Sequence, residues 1–143
     1  MACLGESLEC VELLLERHAC VSSKTPQDLT PLHLAAGTNH LEIAKLLVKN
    51  GSRVDIVDSF GRDPLKLAAQ SGFSTMVDFL IEKGADANTT TPDGNTTLHL
   101  AIASKSPATI IKILKYHDKI NCINSSNLSP LHLAAREGDI TVL

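Results

Sequence analysis

The sequence predicts an all-α solenoid of helix-turn-helix units joined by hairpin-like loops. Three observations carry that expectation. The segment Thr30-Pro31-Leu32-His33-Leu34-Ala35-Ala36 returns as Asp63-Pro64-Leu65-Lys66-Leu67-Ala68-Ala69, as Thr96-Thr97-Leu98-His99-Leu100-Ala101-Ile102 and as Ser129-Pro130-Leu131-His132-Leu133-Ala134-Ala135. The copies start at 30, 63, 96 and 129, in equal steps of 33 residues, and a fixed period of this length marks stacked supersecondary units. A second apolar stretch with helical spacing then follows, and after it come turn residues and a short extended piece.

Each element has a local cause. The first copied position is Thr, Asp, Thr or Ser, all able to cap the free N–H groups of a helix start. Pro31, Pro64 and Pro130 come next, where a missing N–H costs nothing. Leu at the third and fifth positions supplies apolar volume, and Ala35, Ala68, Ala101 and Ala134 let helices approach closely. On this reading Leu32, Leu34, Leu47, Leu65, Leu67, Leu80, Leu98, Leu100, Leu131 and Leu133 are buried between repeats. The second helices are read from Leu41 to Val48, stopped by Gly51, and from Met76 to Ile81, stopped by Gly84. Val54 to Asp58 and Ala85 to Thr90 form the loops. The resulting units are a partial repeat over 1–24, full repeats over 25–57, 58–90 and 91–123, and a partial repeat over 124–143, together a single domain. Leu8 to Leu15 fills a second-helix slot, and the tail from Gly138 to Leu143 enters another. Neither end reads as a polar cap, so the expectation is a piece of a longer array.

Two irregularities stand out. In 91–123 the stretch from Ile110 to Leu114 aligns with the other second helices only with one residue inserted between Ser104 and Pro107 and one deleted near Asp118-Lys119, with Asp118 in the usual Gly position. Lys66 replaces the recurring His, which is expected to remove a local hydrogen bond and put a charge near the groove.

The period and the motif resemble the ankyrin-repeat family, whose signature T-P-L-H-x-A is matched by Thr30-Pro31-Leu32-His33-Leu34-Ala35 at every specified position. Gly84-Ala85-Asp86-Ala87-Asn88 resembles that family's loop after the second helix. The resemblance implies a protein-protein interaction module acting as adaptor, scaffold or inhibitor. It also implies that the recurring His ties loop to helix. The alternative is a targeting or regulatory segment of a larger enzyme or channel, for example substrate recognition for a ubiquitin ligase.

Composition narrows the function classes. Aromatics are 3% of residues and Trp is absent, so Leu, Ile, Val and Ala must fill the core. A net charge of −3 gives no basic footprint for nucleic acid, and no apolar run reaches the ~18 residues of a membrane span. Cys3, Cys10, Cys20 and Cys122 form no C-x-x-C pair and read as reduced packing residues of a cytoplasmic or nuclear protein rather than a disulfide framework. No nucleotide-binding, zinc-binding or hydrolase motif is present. His33, His99 and His132 occupy equivalent places one or two repeats apart, at roughly 10 Å per repeat. They cannot share an ion that needs ligands at about 2.0–2.3 Å. No enzyme activity, cofactor, metal or small-molecule substrate is expected.

In the family resembled, partners dock on loop tips and on the exposed side of the first helices. Carried over, those places are Gln27 and Leu29; Ser59, Phe60 and Arg62; Asp93 and Asn95; and Ser126 and Leu128 in the loops. At the helix ends they are Gln70 and Ser71, Ser104, and Arg136 and Glu137. Phe60 and Arg62 lead, because aromatics and Arg dominate binding hot spots. Asn88, with Leu80 eight residues earlier, also resembles a substrate site of an asparagine hydroxylase.

Overall fold

The computed structural model describes residues 3–116 and 120–138. They contain the helices α1 (Cys3–Glu16), α2 (Pro31–Gly37), α3 (Leu41–Lys49), α4 (Pro64–Ser71), α5 (Ser74–Glu82), α6 (Thr97–Ser104), α7 (Pro107–Leu114) and α8 (Pro130–Glu137). The first helices of the repeats stack in one row, α2 on α4, α4 on α6 and α6 on α8. Behind them α1 packs on α3 and α5 on α7, and α2, α4 and α6 each lie against the second helix of their own repeat. No helix among the described residues is long and apolar enough to cross a membrane. The expected phase change at Asp118-Lys119 and the tail 139–143 lie outside the described residues.

Every first helix starts by the same device. Thr30, Asp63, Thr96 and Ser129 sit in extended conformation, and their side chains accept the backbone N–H three residues on. In the first repeat Nδ1 of His33 accepts the Thr30 N–H at 3.1 Å. The imidazole proton is therefore on Nε2, which donates at 2.9 Å to the carbonyl of Arg62 in the next loop. His99 repeats the arrangement, with the Thr96 N–H at 3.1 Å and the Leu128 carbonyl at 2.9 Å. Burial pushes the His33 imidazole below its ordinary pKa, against the pull of the Arg62 carbonyl, and so favours the neutral form that this bridge requires. The recurring His thus ties its helix to the loop of the following repeat.

Lys66 corrects the expectation made for it. It is only 1% exposed, so it puts no charge at the surface. Its N–H donates to Asp63 Oδ1 at 2.8 Å and its ammonium to Asp63 Oδ2 at 3.2 Å. The ammonium also donates to Thr89 Oγ1. The hydrogen bond is exchanged for an ion pair, because Asp at the cap offers a carboxylate where the other repeats have a hydroxyl.

The core is built from third-position leucines, alanines and second-helix aliphatics. Leu32, Leu65, Leu98, Leu47 and Leu80 are buried as expected, together with Ala36, Ala68, Ala69, Val77 and Ile113. The fifth-position leucines are not. Leu34 is 50% exposed, and Leu67, Leu100 and Leu133 are half-buried. Residues two apart on a helix point in nearly opposite directions, so Leu32 and Leu34 cannot both face the core. Leu131 is 63% exposed, since no described helix lies on its far side. Cys10 and Cys20 are exposed and Cys122 is half-buried. All three are free thiols, and the exposure of the first two means that they are not packing residues.

The third repeat needs no insertion. α7 starts at Pro107, 33 residues after the start of α5 at Ser74. Val77 and Leu80 find their partners in Ile110 and Ile113, and all four are buried. The misleading element is Thr109, which takes the buried place of Met76 and bonds its hydroxyl to Ser106 Oγ at 3.1 Å. Lys105 adopts φ +57°, the left-handed turn that Gly72 makes at +78° in the preceding repeat.

One repeat keeps Thr where the others have Pro. Thr97 is fully buried, and its hydroxyl has no hydrogen-bond partner among the described residues. Thr96 before it has ψ 170°, which a following proline accepts. Thr97→Pro should therefore raise stability by about 0.5–1.5 kcal/mol, by removing an unpaired buried hydroxyl and stiffening the unfolded chain. Urea denaturation checks this, and a lower midpoint would show that the hydroxyl is satisfied after all.

Candidate functional site

The loop tips share one construction. In each, the carbonyl of the first residue accepts the N–H three residues on: Thr25 from Asp28 at 2.8 Å, Asp58 from Gly61 at 2.9 Å, Thr91 from Gly94 at 2.8 Å and Asn124 from Asn127 at 2.9 Å. Asp28, Gly61, Gly94 and Asn127 all have φ between 59° and 76°, a region open to Gly and tolerated by Asp and Asn. The side chain of the first residue then accepts the N–H of the fifth. The distances are 3.2 Å to Leu29, 2.9 Å to Arg62, 3.3 Å to Asn95 and 3.0 Å to Leu128.

Neighbouring tips are also joined. Ser59 N–H donates to the Gln27 carbonyl at 3.0 Å, and Ser125 N–H to the Asp93 carbonyl at 2.8 Å. The equivalent donor between the second and third loops is Pro92, which has no N–H. Its ring instead lies against Gly61, in the space a side chain there would fill. Lys66, on the same junction, turns to Asp63 and Thr89 rather than to the Asn95 carbonyl, which is the counterpart of the carbonyls that His33 and His99 reach.

A recess opens at this junction. Phe60, Arg62, Gln70, Thr91, Asp93, Asn95 and Leu100 line a cavity of about 190 Å³. Arg62 is its fixed centre. Its Nη2 and Nε lie 2.9 and 3.0 Å from Asp58 Oδ2, its Nη1 donates to Gln70 Oε1 at 3.5 Å, and its guanidinium sits 5.0 Å from the centroid of the Phe60 ring. Burial pushes the Asp58 carboxyl up, but hydrogen bonds from Arg62 and Phe60 outweigh it and hold it below the usual carboxylate range. Asp58 is therefore charged at neutral pH and offsets Arg62. Asn95 Oδ1 accepts from Asn124 Nδ2 at 2.9 Å, which orients that amide. The Phe60 ring is 64% exposed. An exposed aromatic face, a held guanidinium, amides and an apolar floor suit contact with both the side chains and the backbone of a polypeptide.

Five of the residues expected from sequence thus meet in one place: Phe60, Arg62, Gln70, Asp93 and Asn95. Others are placed elsewhere. Gln27, Ser59, Ser71, Ser126 and Arg136 are exposed, and Leu29 and Leu128 half-buried. Ser104 bonds its hydroxyl back to the Ala101 carbonyl at 2.5 Å and so shapes the end of α6. Glu137 pairs with Lys105 at 3.4 Å. Asn88 is half-buried, and its N–H donates to Asp86 Oδ1 at 2.8 Å. Thr91 and Leu100 join the recess without a signal that marks them as contact residues. Thr91 begins a loop as Asp58 does, and that equivalence could have found it. Leu100 reads from sequence as a core residue, and the structure moves it to the groove.

The chain matches the profile of a family described as ankyrin repeats (3 copies), over residues 1–91 and 66–143. Among curated proteins it is similar to protein fem-1 homolog C of Danio rerio, 43% identical over 53 residues, a stretch that is 37% of this chain and 9% of that relative. It is similar to protein fem-1 homolog C of Bos taurus and of Homo sapiens as well, each 40% identical over 53 residues and again 9% of the relative's length. The matched stretch thus spans less than a tenth of these relatives.

Proposed function

The chain belongs to the ankyrin-repeat family, and from that premise we propose that it binds a partner protein in the angle between its first helices and its loop tips, with the Phe60–Arg62 recess at the centre of contact. Ankyrin repeats are protein-interaction modules. The observation that carries the finer reading is the exposed Phe60 ring beside an Arg62 that is already held by Asp58 and Gln70. Little side-chain freedom remains for Arg62 to lose on docking, which favours affinity. The role that fits is that of an adaptor, scaffold or inhibitor.

Phe60→Ala should weaken partner binding by about 1–2 kcal/mol while leaving the fold intact, because an exposed ring contributes little to packing. Affinity purification with the native chain, followed by mass spectrometry, identifies the partner, and titration calorimetry with the two forms measures the loss. Unchanged affinity in a folded variant would remove Phe60 from the interface. Recovery of no protein selectively by the native chain would count against the interaction reading itself.

A further inference from the structure

Hydrogen bonds between repeats divide the row of loop tips into two pairs. The first two repeats are joined by the Ser59 N–H on the Gln27 carbonyl and by His33 Nε2 on the Arg62 carbonyl. The last two are joined by the Ser125 N–H on the Asp93 carbonyl, by His99 Nε2 on the Leu128 carbonyl and by the Asn124 amide on Asn95 Oδ1. Between the second tip, 58–62, and the third, 91–95, no hydrogen bond or ion pair is made among the described residues. Two substitutions cause the gap. Pro92 stands where Ser59 and Ser125 stand and has no N–H to give to the Phe60 carbonyl. Lys66 stands where His33 and His99 stand, and its ammonium turns to Asp63 and Thr89.

What holds the two halves together at this line lies below and behind the tips. α4 packs on α6 and α5 on α7. Asp78 on α5 pairs with Lys112 on α7. Lys66 reaches only the base of the third hairpin, at Thr89, and a β-bridge between Thr90 and Thr96 closes that hairpin on itself. At the tips the Pro92 ring lies against Gly61 by van der Waals contact. Such a contact resists compression, but no directional bond has to break when the two sides part. The recess straddles the line, with Phe60 and Arg62 on one side and Thr91, Asp93 and Asn95 on the other.

We propose that the array carries a hinge at this line. The tips 25–29 and 58–62 form one jaw, and the tips 91–95 and 124–128 form the other. The jaws pivot on the packed helices behind them, so the recess between Phe60 and Asp93 opens and closes while the spacing within each jaw stays fixed. Pro92 and Lys66 set the amplitude, because they withhold the two bonds made at the flanking junctions. The motion belongs to the chain itself and needs no partner, so it stands or falls apart from the interaction reading.

The test measures distances between paired nitroxide labels on the complete chain, with Cys3, Cys10, Cys20 and Cys122 replaced by Ser and the native circular dichroism verified. Gln27, Ser59, Asp93 and Ser126 are exposed and take the labels as cysteines. Neighbouring tips are roughly 10 Å apart, a range that dipolar broadening of the spectrum reads. The pair 59 and 93 crosses the line, whereas the pairs 27 with 59 and 93 with 126 lie within a jaw. The distribution across the line should be at least about twice as broad as either of the others, as expected for a hinge between two fixed bodies. Pro92→Ser together with Asp63→Thr and Lys66→His supplies the N–H and the imidazole that the junction lacks, and should narrow that distribution to the width found within the jaws. If the triple variant does not fold, Pro92→Ser alone decides, since its N–H restores one of the two bonds and should by itself narrow the distribution. Equal widths in all three pairs, or a width across the line that the substitutions leave unchanged, overturn the hinge.

Discussion

Lys66→Met should lower the stability of the array by about 3–5 kcal/mol, since it leaves the Asp63 carboxylate buried without its cation. Asp63→Thr should be costly for the converse reason, because the ammonium keeps only Thr89 as a partner. The double variant Asp63→Thr with Lys66→His rebuilds the pair that Thr30 and His33 make, and Thr96 and His99 make again. Its imidazole would then stand opposite the Asn95 carbonyl, as His33 stands opposite that of Arg62. Stability close to or above that of the native chain is expected, since a buried ion pair is often no better than a neutral replacement that fits. Urea denaturation of the native chain, Asp63→Thr, Lys66→His and the double variant completes a thermodynamic cycle. A double variant as unstable as the worse single one would show that the two pairs are not interchangeable.

Leu65→Ala should cost about 2–5 kcal/mol, because the side chain is fully buried on α4, which packs against α2, α5 and α6, and truncation leaves a cavity. Leu67→Ala, two residues further along the same helix, should cost only about 1 kcal/mol, because that side chain is half-buried. Denaturant midpoints separate the two. Equal losses would return Leu67 to the core. The contrast also guards binding experiments, because Leu65→Ala abolishes binding through loss of the fold, whereas a groove residue acts without it.

The period alone is enough to read the helix order and the loop positions, because each repeat is specified locally by cap, Pro, Leu, Ala and turn residue. It also leads to five of the seven residues that line the recess. What it misjudges has physical causes. A first helix of seven or eight residues is too short for its apolar face to show as a long stripe, so two leucines both read as inward, although a spacing of two on a helix forbids it. Lys66 reads as a surface charge because its compensation is Asp63, a change that looks like a neutral cap substitution. Thr109 in a core position hides the register of α7, since a buried hydroxyl bonded to Ser106 is not apparent as core from its chemistry. Beside the recess Pro92 lies against Gly61, a contact between residues 31 apart in the chain that no local pattern contains.

The histidine bridges and loop rungs that leave their own repeat reach only the next one. His33 and His99 each span 29 residues, and the Ser59 and Ser125 rungs hold adjacent loops. This locality bears on inheritance as well as on folding. A duplicate of the repeat 25–57 or 91–123 arrives with its own cap, its own imidazole and a loop at the right distance for both neighbours, so the array can lengthen or shorten by whole units without rewiring. A tandem copy of any other length would present each His with the wrong carbonyl. The number of units can therefore change, while the spacing within each unit is held by the bridges that leave it.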